Sequence, residues 1–202
     1  DSDKPKQIKD YGRCMGDDIE NLLAQLKIEK VHLLGTSMGA EIALRFAAYN
    51  PSSILSLTAI GSGLSGEKES ENYTAVGEAL KSHHSFGPWI KATGGMGYFS
   101  PDAIGIATAD SMLRGQDIDA LSSVFLSMPE IINLMDDEIS ALTMPVLGIC
   151  GELDEERPAL ERMIGKIPNF SFKLIANRGH MDLDQDPNYF NIIEAFLTEH
   201  RQ

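Results

Sequence analysis

Val31-His32-Leu33-Leu34-Gly35-Thr36-Ser37-Met38-Gly39-Ala40 opens as a short apolar run and turns on two glycines around a serine. It continues as Glu41-Ile42-Ala43-Leu44-Arg45-Phe46-Ala47-Ala48, which reads as a helix. Strand, G-x-S-x-G turn and helix follow one another in the order that lifts a serine clear at the carboxyl end of a strand. So sharp a turn strains the serine backbone and requires small residues two before and two after it, which Gly35 and Gly39 supply. The hydroxyl then lies near the amino end of a helix, where free N–H groups favour developing negative charge. The backbone N–H of Met38 is a candidate oxyanion-hole donor. Glycine and serine are common in loops, so the pentapeptide alone also describes an ordinary turn; the strand before it and the helix after it favour a nucleophile at Ser37.

Outward from this turn the chain alternates strands and helices. Residues 11–26 carry Met15, Ile19, Leu22, Leu23 and Leu26 at helical spacing, with Asp17, Asp18, Glu20 and Gln25 between them, and read as an amphipathic helix packed on a sheet. After the elbow helix, Pro51 marks a stop and residues 54–60 read as a second strand. Residues 144–151 and 170–176 read as a third and fourth strand, followed after each by a helix at 159–164 and 187–197. Between them, residues 67–140 lack a clear strand and read as a helical insertion, with helices at 75–80, 101–113, 118–128 and 131–135 broken by glycines and prolines such as Gly87-Pro88. Its Phe86, Trp89, Met96, Tyr98, Phe99, Met112, Phe125 and Met128 can line an apolar substrate cleft or form the insertion's own core, the latter expected for more than half of them.

Composition narrows the classes. The 202 residues are 43% hydrophobic and 23% charged, which suits one domain or a domain with an insertion. A net charge of −13 with no basic run disfavours nucleic-acid binding, since phosphate would be repelled. No apolar run is long enough to span a bilayer. Two cysteines, Cys14 in a helix and Cys150 in a strand, make neither a disulfide framework nor a zinc site. They fit a reducing compartment, and a cytoplasmic location is expected. The chain opens on Asp1-Ser2-Asp3-Lys4-Pro5 with no initiating Met or signal peptide, which reads as mid-loop sequence of a longer protein.

Two phosphate-binding patterns are weighed and set aside. Gly61-Ser62-Gly63-Leu64-Ser65-Gly66 matches G-x-G-x-x-G after a strand. The acidic Glu67-Lys68-Glu69-Ser70-Glu71-Asn72 that follows is a poor helix for a pyrophosphate site, and no strand returns at the βαβ distance. Glu67 stands where a Walker A lysine belongs. Asp182, Asp184 and Asp186 begin like a calcium loop, but Pro187 takes the glycine position and Ile193 the glutamate position, so no metal or cofactor is expected there or elsewhere.

A serine hydroxyl becomes a useful nucleophile when a base takes its proton and an acid orients that base. Ser37, Asp154 and His180 each follow the end of a different expected parallel strand, and parallel strands bring their carboxyl ends to one edge. The order Ser, Asp, His is the one that accompanies this elbow. Glu152, Glu155 and Glu156 compete with Asp154 for the acid's place. Of the other histidines, His32 reads as structural, His83 and His84 as solvated, and His200 as tail.

These residues resemble the α/β-hydrolase superfamily: Gly35-Thr36-Ser37-Met38-Gly39, then Gly151-Glu152-Leu153-Asp154, then Gly179-His180, with Asp1-Ser2-Asp3-Lys4-Pro5 like the loop before the elbow's leading helix and Pro187-Asn188-Tyr189-Phe190 through Phe196-Leu197 like the closing helix. The resemblance implies an α/β fold with a mostly parallel sheet, the carboxyl-terminal half of an α/β-hydrolase fold, and an inserted helical cap. Residues 1–66 and 141–202 are then the two parts of the core and 67–140 the cap. It implies Ser37 as nucleophile, His180 as general base and Asp154 as orienting acid. Ala40 replaces a frequent glycine. The four strands the family builds before the elbow strand, and the loop that supplies its second oxyanion N–H, are not in this sequence, so strand 31–35 is expected at an open edge. The implied activity is hydrolysis of an ester or related acyl bond in a small, partly apolar acyl substrate through an acyl-serine intermediate. Serine at the elbow argues against the aspartate-nucleophile branches and leaves carbon–carbon hydrolases, lactonases, thioesterases and perhydrolases open. The alternative is a non-catalytic or slow-turnover ligand-binding protein on the same fold.

Overall fold

The computed structural model describes residues 3–201, with Met96 described by its backbone alone. Its strands are β1 (Val31–Thr36), β2 (Ile54–Ile60), β3 (Val146–Gly151) and β4 (Phe170–Ile175). Its α-helices are α1 (Cys14–Leu26), α2 (Met38–Tyr49), α3 (Glu67–His83), α4 (Gly87–Thr93), α5 (Ala103–Ser111), α6 (Ile118–Ile132), α7 (Asp136–Ser140), α8 (Arg157–Glu161) and α9 (Tyr189–Glu199). The chain divides into two compact units. One holds residues 15–65 and 132–202; the other holds 1–14 and 66–131.

The first unit is built on one sheet of order β1-β2-β3-β4, every pair parallel. Thr36 pairs with Ile60, Ile60 with Ile149, and Gly151 with Ile175, so the carboxyl ends of all four strands finish on one edge. The central β2 and β3 are buried almost throughout, as parallel strands covered on both faces must be, whereas β1 and β4 are half-exposed outer strands. Side-chain alternation separates two cores. Leu57, Ala59, Val146 and Cys150 pack with Ala40, Leu44 and Ala47 of α2 and Leu160 of α8. Ile60, Leu147, Ile149 and Ile175 pack with Tyr189 and Phe196 of α9. Gly148 makes room on the first face: a Cβ there would meet the Phe170 ring at 2.6 Å and Leu160 at 2.8 Å. An ion pair between the buried Arg45 and the partly buried Glu138 fixes α7 to α2, Arg45 Nη1 standing 2.7 Å from Glu138 Oε1, which also accepts from the Tyr49 hydroxyl at 2.6 Å.

The second unit is helical; among the described residues between 67 and 140 there is no strand. Val76, Ala79, Leu80, Trp89, Ile90, Ala109 and Leu113 form its core, with Phe86, Phe99 and Phe125 packed against them. Polar side chains tie the helices: Asp110 accepts from Ser85 Oγ at 2.7 Å and from the Phe86 amide at 2.8 Å, Trp89 Nε1 donates to Asn72 Oδ1 at 2.7 Å, and Ser122 Oγ donates to the Gly77 carbonyl at 2.9 Å.

Several sequence expectations need correction. The Gly87-Pro88 pair does separate helices, but it also starts α4, a helix not expected from the sequence, because proline's fixed φ suits a first turn. α6 runs through Pro129 to Ile132, and no helix spans 131–135. The next begins at Asp136, where Glu138 accepts from the Met135 amide at 2.7 Å and closes the turn. On α1, Ile19 and Leu23 pack on the sheet core while Leu22 and Leu26 stay more than half exposed, so the apolar stripe is wider than the core it meets.

Candidate active site

The elbow is built as its sequence demands, with one exception. Ser37 caps α2 at φ 55°, ψ −126°, a conformation costly for any residue with a Cβ. Its amide donates to the Ile60 carbonyl at 2.7 Å and its carbonyl accepts from Ala40 N at 2.8 Å, which lock the turn. Gly35 is required by contact: a Cβ there would lie 2.1 Å from the Gly39 carbonyl oxygen. Gly39 is not, since a Cβ there would meet nothing within 4 Å. Met38 is the first residue of α2, where helix N–H groups have no intrahelical acceptor.

The exits of β3 and β4 are zipped together. Glu152 N donates to the Ile175 carbonyl at 2.9 Å, Leu153 N to the Arg178 carbonyl at 2.8 Å, and Asn177 N to Glu152 Oε2 at 3.0 Å. A Cβ at Gly151 would lie 2.2 Å from the Arg178 oxygen, so this approach needs a glycine. Asp182 Oδ1 accepts from the Gly179 amide at 2.7 Å and its other oxygen pairs with Arg178 at 3.3 Å, holding the turn that carries His180. Asp186 accepts from the Asn188 amide at 2.8 Å, so this acidic segment braces backbone.

These constraints bring Ser37, His180 and Asp154 into one line. His180 Nε2 stands 2.9 Å from Ser37 Oγ, and Nδ1 stands 3.0 Å and 3.2 Å from the two oxygens of Asp154. The Asp154 side chain is fully buried and that of His180 nearly so. Among the four neighbouring acids only Asp154 has this position; Glu152 is turned to Asn177, and Glu155 is exposed. The Glu156 amide donates to Asp154 Oδ1 at 2.9 Å, which steadies the carboxylate. Burial disfavours a charged imidazole. The hydrogen bond and charge of Asp154, with the charges of Glu156 and Glu41, outweigh it and hold His180 above the ordinary imidazole value.

The buried Cys150 lies on β3, ahead of Asp154; burial, reinforced by the charge of Asp154, pushes its thiol far up, so it stays protonated and unreactive. His32 bonds Ser56 Oγ across β1 and β2 at 2.7 Å, and His200 stacks edge-on against Phe196. Among the described residues no helix is long and apolar enough to cross a membrane. Sequence reasoning missed Gly61, whose added Cβ would lie 3.1 Å from His180 Cε1, and Glu41; a positive-φ glycine directly after a strand was the available signal for the first.

The fold is that of the α/β hydrolases. The family model described as "alpha/beta hydrolase fold" matches residues 1–93. The chain is similar to a thermophilic esterase from Thermogutta terrifontis (TM-score 0.73, 22% identity, 95% of this chain and 74% of that one) and to a hydrolase from Pseudomonas aeruginosa PA01 (0.73, 19%, 93% and 72%). In sequence it is 27% identical over 192 residues to the 2-hydroxy-6-oxononadienedioate/2-hydroxy-6-oxononatrienedioate hydrolase 2 of Pseudomonas putida, covering 90% of this chain and 67% of the relative. The matched residues and the shared fold make the chain similar to the α/β-hydrolase superfamily. It spans about two thirds of the length of that relative.

Proposed function

We propose that the protein is a serine-dependent hydrolase that cleaves an ester or related acyl bond through an acyl-serine intermediate. The observation that carries this reading is the unbroken Ser37–His180–Asp154 hydrogen-bonded line at the carboxyl edge of a parallel sheet. Ser37 Oγ attacks the carbonyl carbon as its proton passes to His180 Nε2. Asp154 holds Nδ1–H and stabilises the imidazolium. The carbonyl oxygen gains negative charge near the Met38 amide and the amino end of α2. The imidazolium then protonates the leaving alcohol, and water repeats the sequence on the acyl-serine. The substrate is a small, partly apolar acyl compound.

A second reading comes from the Pseudomonas putida relative. The acid in its name bears a ketone and carboxyl groups but no ester, so its hydrolysis breaks a carbon–carbon bond beside the ketone. The same serine and histidine serve that chemistry, with an enol carbon leaving in place of an alcohol. Multiple-turnover assays with p-nitrophenyl esters of graded acyl length, beside an unsaturated oxo dicarboxylic acid, separate the two. Steady release from the esters, lost by about 10⁴-fold or more in Ser37→Ala, supports the first reading. Turnover of the keto acid with slow esters moves the assignment to the second. Binding without product release leaves a ligand-binding protein.

A further inference from the structure

The segment Gly61-Ser62-Gly63-Leu64-Ser65, part of the G-x-G-x-x-G match, leaves β2 at the same edge as the elbow. Gly61 is held at φ +66°, with its amide donating to the Ile149 carbonyl at 2.9 Å. A Cβ there would stand 3.1 Å and 3.2 Å from Cε1 and Nδ1 of His180, so the His180 ring rests on this backbone. One flank of the segment is fixed by the region following Asp154: Leu64 N donates to the Ala159 carbonyl at 2.9 Å, and Arg162 Nε donates to the Leu64 carbonyl at 2.6 Å. The other flank is fixed by Glu41, whose carboxylate accepts from Ser62 Oγ at 3.1 Å and Ser65 Oγ at 2.5 Å. Glu41 and Ser62 are both only 3% exposed. A carboxylate so withdrawn from water persists because donors satisfy it and because it sits in the first turn of α2. That is one turn beyond Ser37, on the helix that Ser37 caps.

We propose that Glu41 is a positioning residue of the acyl-transfer reaction: it clamps the 61–65 segment to the helix that begins at the nucleophile, and so fixes the backbone on which the His180 ring rests. The proposal rests on the serine-hydrolase reading above. Glu41 acts through position and through charge. The acids that bear on the ring are Asp154 and Glu156 from the β3 exit and Glu41 from α2; on the ring's own turn, Arg178 and Asp182 pair with each other. All three acids favour the imidazolium that forms when Ser37 gives up its proton.

Two variants separate the effects. Glu41→Gln keeps an acceptor oxygen and removes the charge. The Ser62→Ala/Ser65→Ala pair keeps the charge and releases the segment. In the full chain, the His180 ring is titrated by NMR, its signal assigned by loss in His180→Gln, and the rate of labelling by a fluorophosphonate probe is followed against pH. In Glu41→Gln the titration midpoint falls, and the acid limb of the labelling profile moves down with it. In the serine pair the midpoint moves less, and the plateau labelling rate falls about tenfold. Should Glu41→Gln fail to fold, Ser65→Ala alone carries the rate test. Wild-type midpoint and plateau rate in both variants, with Ser37 labelled in each, would overturn the role of Glu41 and leave the hydrolase reading standing. A folded wild-type protein that the probe does not label would overturn both.

Discussion

The sheet unit and the helical unit use buried polar groups differently. In the sheet unit one set gathers at strand ends, Asp154 on His180, His180 on Ser37, and Glu41 on Ser62 and Ser65, while Arg45 and Glu138 join α2 to α7. In the helical unit they join helix to helix: Asp110 to Ser85 and Phe86, Asn72 to Trp89, Ser122 to Gly77. The first set keeps a basic nitrogen and a hydroxyl poised at 2.9 Å; the second satisfies donors and acceptors and leaves nothing poised. Parallel register is the cause. It aligns four strand ends to within two residues, so loops of unrelated sequence meet at one edge, whereas helices joined by short turns share no such edge.

If that contrast is right, the largest effect of a single polar change falls on activity in the sheet unit. Asp154→Asn lowers kcat/KM by about 10⁴-fold with little loss of fold, measured on p-nitrophenyl esters. Its pH profile sharpens the point. The base works as neutral imidazole, and Asp154 raises the pKa of His180, so wild-type activity climbs with pH through a midpoint above the ordinary value of about 6.5. In Asp154→Asn the residual activity climbs at lower pH. A limb that does not move would detach His180 from the acid.

Stability effects come next. Arg45→Met leaves Glu138 without its buried cation and costs about 3 kcal/mol, read as a lower urea midpoint at unchanged slope. In the helical unit, Asp110→Ala strips the partner from Ser85 Oγ and the Phe86 amide and costs about 2 kcal/mol, with the chemistry at Ser37 unchanged in labelling rate. A large activity loss from Asp110→Ala would break the comparison. The smallest effect has the opposite sign. Ser37→Gly relieves the strained turn and raises stability by about 1 kcal/mol while abolishing turnover. Thermal unfolding of that variant at or below the wild-type midpoint would show that the elbow stores no strain.

The legible parts of the sequence were those where local rules fix the outcome. β2 was readable to the residue, because an apolar run bounded by Pro51 and Gly61 fits only a buried strand of that length. Ser37 and His180 were readable because each is announced by glycines at a strand end. Asp154 was chosen over Glu152, Glu155 and Glu156 on position and resemblance alone, since what distinguishes it physically is its approach to His180 across 26 residues of chain and the amide of Glu156. Glu41 was hidden for a similar reason. An acid in a helix's first turn ordinarily faces water, and only the fold shows Ser62 and Ser65 folded back onto it. The helical unit was least legible. Its proline-started α4 and proline-containing α6 defeat breaker rules; its aromatic residues were expected to be core for the greater part, and Trp89, Phe86, Phe99 and Phe125 pack together in it.

The central claim is that Ser37 is a nucleophile activated by His180. Intact-mass and peptide mapping after treatment with a fluorophosphonate probe tests it most directly. The account predicts a single adduct on Ser37 in the wild-type protein and none in Ser37→Ala. A folded wild-type protein that stays unlabelled, or an adduct that persists in Ser37→Ala, would contradict it.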